Sequence, residues 1–448
     1  MKLTIDDRFL IMIFDSIEEE RIVRDNFTFD DMSAVYIGGK FDKRKIKRKC
    51  LINSKKGIHL LAGGFLLDLL LLLKKENISL MELQDKRSKF PYYSMPQAPD
   101  MLRKYFPPDF KYIEHQVEAL RKMLKINCGI IQAPPSSGKT ELMIAYIKAT
   151  KLPTLIVVNR ISLALQIRER LQKNGIETGI CYGKEYVIGP VMITTIGSIG
   201  RIDTKDFKVL LLDETHRAQA SSYQKFLKTH SFPVRFGLSA TPDCGDKYKF
   251  AIIRQYMGNI IYKVDIKELM KNEVIAKPKI SFVKSLCHST MDWITAYNSC
   301  IVFNNERNNK IKEIVEEHNL PTLILIRMIE HGEELARLLP DAVFVSGIDD
   351  ALYRKEIIEK FERDEIKTII STAIFNEGIS INAIRLLIIA SGGKSKIETI
   401  QKLGRSMRVM PDKKECIVID FLDEGNVFTE RHSILRKSIY EKAGFSVI

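Results

Sequence analysis

The chain has 448 residues, 45% hydrophobic and 28% charged, which is enough for two or three domains that each bury a core. Its formal net charge of +14 favours a polyanionic partner. Seven scattered cysteines with no Cys-x-x-Cys pair argue against a disulfide framework and a zinc site.

In chain order, residues 9–14 read as an apolar strand, and 34–39, ending in two glycines, as a strand running into a turn. Between Lys43 and Lys49 six of seven residues are basic. This run is either a solvated face or a duplex-phosphate contact made by Lys43, Arg44, Lys47 and Arg48. Residues 60–73 are apolar but number only 14 and are broken by Asp68. Spanning a bilayer takes ~20 residues, so a buried helix is expected there. No secretory signal precedes this region, which suits a cytosolic enzyme. The prolines of residues 90–99 oppose helix and central strand and mark a linker.

After the linker, an apolar run at 129–132 leads into Ala133-Pro-Pro-Ser-Ser-Gly-Lys-Thr140 and then an amphipathic stretch. Strand, loop and helix in that order make a phosphate site. Loop amides of Ser136-Ser137-Gly138, in a loop stiffened by Pro135, and the helix N-terminus would cradle phosphate oxygens of ATP. Lys139 would neutralise the β- and γ-phosphates, and the Thr140 hydroxyl would ligate Mg²⁺. Seventy-four residues beyond Lys139, the buried strand 209–212 ends at Asp213-Glu-Thr-His216. Ligands of open α/β sheets bind at such carboxyl ends. Asp213 would hold Mg²⁺ and Glu214 would orient or activate water. His216 would couple this site to Gln401 or to residues 237–242.

Strand-like runs at 129–132, 154–158, 191–195, 209–212 and 235–239 alternate with helical ones. The theme repeats at 322–326, 342–345, 368–371, 386–390 and 415–419. Alternation of this kind calls for mostly parallel sheets with helices on both faces. The expected fold is α/β: two tandem RecA-like parallel-sheet lobes with a small N-terminal α+β domain. Expected boundaries are 1–105 for the N-terminal accessory domain, 106–265 for the first lobe, 266–280 for a hinge and 281–448 for the second lobe. Near the end, Gln401-Lys-Leu-Gly-Arg-Ser-Met-Arg408 places two arginines three residues apart. Arg405 and Arg408 would bring distant positive charge to the γ-phosphate.

In these motifs residues 110–445 resemble the superfamily 2 helicases of the DExH kind. The resemblance makes Gln116 the adenine-reading glutamine, and gives Asn159, Arg160, Thr195 and Ser198 to DNA contact in the first lobe. It makes Ser239-Ala-Thr241 the coupling segment. In the second lobe it places Arg327 and Thr372 on the nucleic-acid strand and Gly378 at the nucleotide. Tyr262–Leu269, Asn305–Asn308 and Val418–Asp423 with Arg436 and Tyr440 are similar to the phage UvsW-type branch-migration helicases and to restriction and excision-repair relatives. Ser380, Lys402 and Asn159-Arg160 depart from the common pattern.

The expected function is therefore an ATP-dependent DNA helicase or translocase, a monomer acting on forked or branched DNA and independent of membranes. Three alternatives stay open. One is an ATP-controlled clamp without unwinding, a second is a motor subunit of a restriction or repair complex, and the third is an RNA substrate.

Overall fold

Strands Thr154–Val158, Val209–Asp213 and Val234–Ser239 are buried at every position. A continuous apolar run of this length fits a parallel strand covered on both faces. The computed structural model describes residues 1–31, 36–37, 40–41, 47–88, 99–107, 114–243, 245–287, 292–372, 381–394, 404 and 413–447. They fall into two units, Met1–Ala133 with Gly138–Val264, and Pro134–Ser137 with Asp265–Ile448.

The first unit carries an eight-stranded sheet. Its spatial order is Glu185–Val187, Thr178–Tyr182, Val191–Thr195, Thr154–Val158, Val209–Asp213, Val234–Ser239, Cys128–Gln132 and Ile260–Lys263. Only the edge pair Thr178–Tyr182 and Glu185–Val187 is antiparallel. All five strands expected for the first lobe are present, within one residue at either end.

The N-terminal part of this unit is a five-stranded sheet, ordered Asn53–Lys55, Ile58–Ala62, Phe9–Ile13, Lys2–Ile5 and Glu82–Asp85. Helix Ile17–Asn26 starts where Ser16 Oγ accepts the Glu19 N–H at 3.1 Å, with Glu18, Glu19 and Glu20 in its first turn. Leu3, Leu10, Met12, Leu61, Phe65 and Leu69 form the core, and Ala251 of helix Lys247–Met257 packs into it. The joint between the two sheets is tight. A Cβ on Gly64 would fall 2.0 Å from the Arg254 carbonyl oxygen, so only glycine lets the backbones approach this closely. Asp68 forms an ion pair with Arg254 across the same joint.

The expectation of one buried helix over 60–73 is corrected. Leucines 60 and 61 complete strand Ile58–Ala62, a 3₁₀ turn covers Gly63–Phe65, and the helix runs Leu66–Lys75. Adjacent glycines interrupt the run, and a stretch of leucines has no apolar periodicity to separate strand from helix. The helix is also only half-buried: Leu69, Leu72 and Leu73 face the core, while Leu67 and Leu71 are exposed.

The second unit holds a six-stranded parallel sheet in the order Lys277–Leu286, Glu415–Glu424, Leu386–Ile389, Thr322–Leu325, Thr368–Ser371 and Val343–Val345. Residues 266–280 comprise helix Ile266–Lys271 and the first residues of Lys277–Leu286. The last strand extends to Glu424, five residues beyond the expected 419, because Asp420 and Asp423 are buried partners and not loop carboxylates. Arg436 Nη2 donates to Asp420 Oδ1 at 2.9 Å, Tyr440 Oη donates to Asp420 Oδ2 at 2.8 Å, and Arg307 Nε donates to Asp423 Oδ1 at 2.9 Å. Residues quoted for the family likeness thus form a buried ion network whose members depend on one another.

Cys287 and Cys300 are joined by a disulfide, with Cα atoms 5.3 Å apart, which corrects the expectation at one pair. Among the described residues Cys50, Cys128, Cys181 and Cys416 take part in no disulfide. Among the described residues no helix is long and apolar enough to cross a membrane.

Candidate functional site

Strand Cys128–Gln132 leads into the loop 133–138, and helix Lys139–Thr150 follows. The loop is pinned at its base, where the Ala133 N–H donates to the Ser239 carbonyl at 3.0 Å. Within it Ser137 Oγ donates to the Pro134 carbonyl at 2.7 Å, and Ser137 is buried. Ser136 has φ 61° and Gly138 φ 81°. Such left-handed turns aim successive backbone N–H groups inward, the geometry of an anion nest, and Pro135 restricts the entry. The first amides of the twelve-residue helix have no intrahelical acceptor, so Lys139 and Thr140 stand at its positive end. Lys139 Nζ donates to the Ala133 carbonyl at 3.4 Å, a bond long enough to give up to a better acceptor.

Strand Val234–Ser239 lies between Cys128–Gln132 and Val209–Asp213, so their carboxyl ends share one edge of the sheet. Asp213 is buried, and its pKa is pushed up to about 6, first by burial and then by the neighbouring Glu214 carboxylate, while Lys139 and His216 oppose the shift. Its Oδ1 has no hydrogen-bond partner among the described residues. A buried carboxylate oxygen in that state, beside a lysine and close to a phosphate loop, fits a divalent cation. Among the described residues no three His, Cys, Asp or Glu side chains gather into a metal cluster. An ion that keeps most of its own waters, as magnesium does, suits so sparse a donor set.

Glu214 adopts φ 50° and ψ 53°, an unusual left-handed conformation for a side chain of its size. Strain of this sort persists where the surroundings enforce it. Here Thr215 Oγ1 donates to the Leu212 and Leu238 carbonyls at 3.0 and 3.2 Å, locking the turn to both strands. Sequence reasoning gave Thr215 no role. The available signal was Gly237, where a Cβ would come 2.3 Å from Thr215 Oγ1.

His216 is 4% exposed, and its Nδ1 lies 3.1 Å from Ser239 Oγ and 3.3 Å from Glu214 Oε2. His216 thus touches residues 237–242 at Ser239, while Gln401, the other partner expected for it, lies outside the described residues. Gln116, 2% exposed on helix Glu114–Met123, donates from Nε2 to the Gly138 carbonyl at 3.0 Å. That holds its amide against the phosphate loop.

Asn159 and Arg160 follow strand Thr154–Val158, and Thr195 ends the neighbouring strand, with Val158 and Thr195 paired in register. Thr195 Oγ1 donates to Ser198 Oγ at 3.3 Å. These four polar residues therefore share the carboxyl edge that carries the phosphate loop. In the second unit Arg327 is exposed at the end of Thr322–Leu325, 5.9 Å from the Tyr297 ring centroid. Thr372 is 8% exposed, and its N–H donates to the Val345 carbonyl at 3.3 Å. Lys47 and Arg48 are exposed on strand Lys47–Cys50, with Asp31 and Asp30 opposite them on Thr28–Asp31. Two of the four residues of that facing strand are acidic, a pairing that sequence order alone did not reveal. Lys43, Arg44, Gly378, Gln401, Arg405 and Arg408 lie outside the described residues.

Two family descriptions match the chain in succession: Type III restriction enzyme, res subunit, over residues 109–244, and Helicase conserved C-terminal domain over 298–410. The DNA 3'-5' translocase XPB2 of Sulfurisphaera tokodaii is 26% identical over 365 residues, covering 70% of this chain and 81% of that protein. The DNA 3'-5' helicase XPB of Kineococcus radiotolerans is 25% identical over 325 residues, covering 66% of this chain and 57% of its own length. Dbp5 of S. cerevisiae, solved with RNA and ADP BeF3, aligns at TM-score 0.57 and 15% identity, covering 79% of this chain and 96% of that one. At that identity the likeness shows a shared fold.

Proposed function

From the premise that this chain belongs to the superfamily 2 helicases and is an ATP-dependent enzyme of that class, we propose that it translocates on DNA. On this reading it acts as a monomer that unwinds or branch-migrates forked and junction DNA during replication, recombination or repair. One observation carries the reading: the carboxyl edge of a single sheet holds the phosphate loop, Asp213, Glu214 and Ser239, and also Asn159, Arg160, Thr195 and Ser198. Movement in the nucleotide half is thereby passed through adjacent strands to the half that would hold a DNA strand.

Magnesium-bound ATP would supply the phosphoryl group whose hydrolysis drives each step. Lys139 neutralises the β- and γ-phosphate oxygens, while Thr140 and Asp213 hold the ion. Glu214 accepts a proton from the attacking water or orients it, and its enforced backbone conformation fixes the direction of the carboxylate. Gln116 reads the adenine edge, and Arg405 and Arg408 stabilise charge on the transferred group, a role worth ~10³–10⁵ in rate where arginines supply it. Arg327 and Thr372 contact the strand from the second unit.

The deciding experiment compares ATP turnover and strand displacement on single strands, duplexes, forks, four-way junctions and RNA hybrids. Junction-stimulated turnover with displacement is the expected result. Turnover without displacement on any substrate would mark a clamp. The basic ribbon is tested by changing Lys43, Arg44, Lys47 and Arg48 together to Ala. For every side chain among them that pairs with a DNA phosphate, the plot of log affinity against log salt should flatten by about 0.9. An unchanged slope would make the run a solvated face.

A further inference from the structure

Within the first unit a cavity of about 320 Å³ lies where the N-terminal sheet meets helix Lys247–Met257 and the parallel sheet. Arg8, Lys228, His230 and Arg235 line it, and among the described residues no carboxylate does. Arg235 is 9% exposed. Its Nε donates to the Tyr256 carbonyl, and its Nη1 to those of Asp7 and Phe232. Among the described residues no acidic group pairs with it. A buried cation is ordinarily matched by a counter-charge, and here carbonyl dipoles alone surround it. Arg8 is held at the rim by its Nη2 bond to the Lys228 backbone carbonyl, 2.8 Å long, and Arg8, Lys228 and Arg235 line the same cavity.

The rest of the wall divides in two. Gln255 and Tyr256 present neutral donors, and burial pushes the Tyr256 hydroxyl up to about 12, so it keeps its proton at neutral pH. Phe9, Leu51, Leu60 and Leu227 supply apolar surface. Ligand pockets run from roughly 300 to 1,000 Å³, and this one is at the small end. It is also separate from the phosphate loop. Arg235 is near the amino end of strand Val234–Ser239, four residues or ~13 Å from Ser239 at the catalytic edge.

We propose that this cavity binds a nucleoside monophosphate, either free or as the phosphorylated end of a DNA strand. The phosphate is directed to Arg8, Lys228 and Arg235, and the base to the apolar wall. Such an anion supplies the missing counter-charge of Arg235 and joins residues of the N-terminal sheet to residues of the motor sheet. The ligand would therefore tighten the joint between them.

The test uses the full chain with its phosphate loop saturated by ADP. Calorimetric titration with thymidine monophosphate should show one site, with inorganic phosphate weaker and unphosphorylated thymidine silent. Lys228→Ala should weaken binding by about tenfold, the loss of one charge-assisted hydrogen bond. Gln255→Ala should weaken it less. Both residues lie away from the catalytic edge, so strand-stimulated ATP turnover should be unchanged and report a folded protein. A short strand with a 5′-phosphate, compared with the same strand lacking it, distinguishes the sources. A phosphate-dependent gain in affinity that disappears in Lys228→Ala assigns the site to DNA ends, and no gain assigns it to the free nucleotide. Absence of thymidine monophosphate binding to wild type, or binding indifferent to Lys228→Ala, overturns the proposal.

Discussion

His216 Nδ1 lies 3.1 Å from Ser239 Oγ, joining the turn after one strand to the end of the next. Ser239 Oγ also accepts the Thr241 N–H at 3.3 Å, which leaves its hydroxyl hydrogen available for the imidazole. The contact connects Glu214, the carboxylate proposed to handle water, to the segment leading out of the sheet. Ser239→Ala removes both contacts, and loss of the one to His216, worth ~1 kcal/mol, should lower DNA-stimulated turnover about fivefold. Turnover without DNA should change little. An equal loss with and without DNA would place the pair in the chemical step and not in coupling.

The proposed chemistry rests on two side chains, Lys139 and Glu214, that follow the strands on either side of Val234–Ser239. Lys139→Ala should abolish turnover by removing the cation at the phosphate loop. Glu214→Gln should retain ATP binding and lose ~10²–10⁴ in turnover, the usual worth of a positioned base. Single-turnover assays with labelled ATP separate binding from hydrolysis. Near wild-type hydrolysis in either variant would mean the active site is elsewhere.

Gly237 and Thr215 form a steric lock. Adding a methyl group at Gly237 places it 2.3 Å from Thr215 Oγ1. Gly237→Ala should therefore cost ~1–3 kcal/mol in urea unfolding, the range for overpacking. Gly200→Ala, with open space around it, should stay within ~0.5 kcal/mol. In the double variant Gly237→Ala with Thr215→Ala, part of the loss should return, because the two sites share one volume. Simple additivity would show that the strand had shifted to make room.

Two buried groups give stability opposite dependences on pH. Asp213 rises from 3.8 to about 6 on folding, so its ionised form is disfavoured in the native protein. The resulting penalty is absent below pH 3.8, grows as pH rises toward 6 and is complete above it. Asp213→Asn should thus stabilise the metal-free protein above pH 6 by on the order of 3 kcal/mol, and the difference should vanish at acid pH. His331 is lowered from 6.5 to about 3 by burial and by Arg307. Its Nε2 lies 3.0 Å from Asn308 Oδ1 in the second unit. Its contribution is complete above pH 6.5 and is lost as pH falls toward 3. Urea midpoints against pH for wild type and Asp213→Asn check the first sign, and the His331 ring resonances, unchanged down to pH 5, check the second. A pH-independent Asp213→Asn difference would contradict the raised pKa.

Much of this protein was legible in order and spacing. Runs such as 154–158 and 209–212 are apolar at nearly every position, and burial on both faces demands that composition, so the strands followed from sequence. The phosphate loop and Asp213-Glu214 could be located because a strand end and a helix start fix their backbone surroundings locally. Where long-range packing chose between local options, sequence was silent. Leucines 60–73 were divided between strand and helix by the close approach of Gly64 to Arg254. Thr215 acquired its role only when strand Val234–Ser239 was inserted beside it. Asp420, Asp423, Arg307 and Arg436 looked like motif residues and became a buried ion network, because charges far apart in the chain can leave water only together. Spacing along the chain determines which groups stand at the end of a strand. Tertiary packing determines which partner each one meets, because burial makes that partner obligatory.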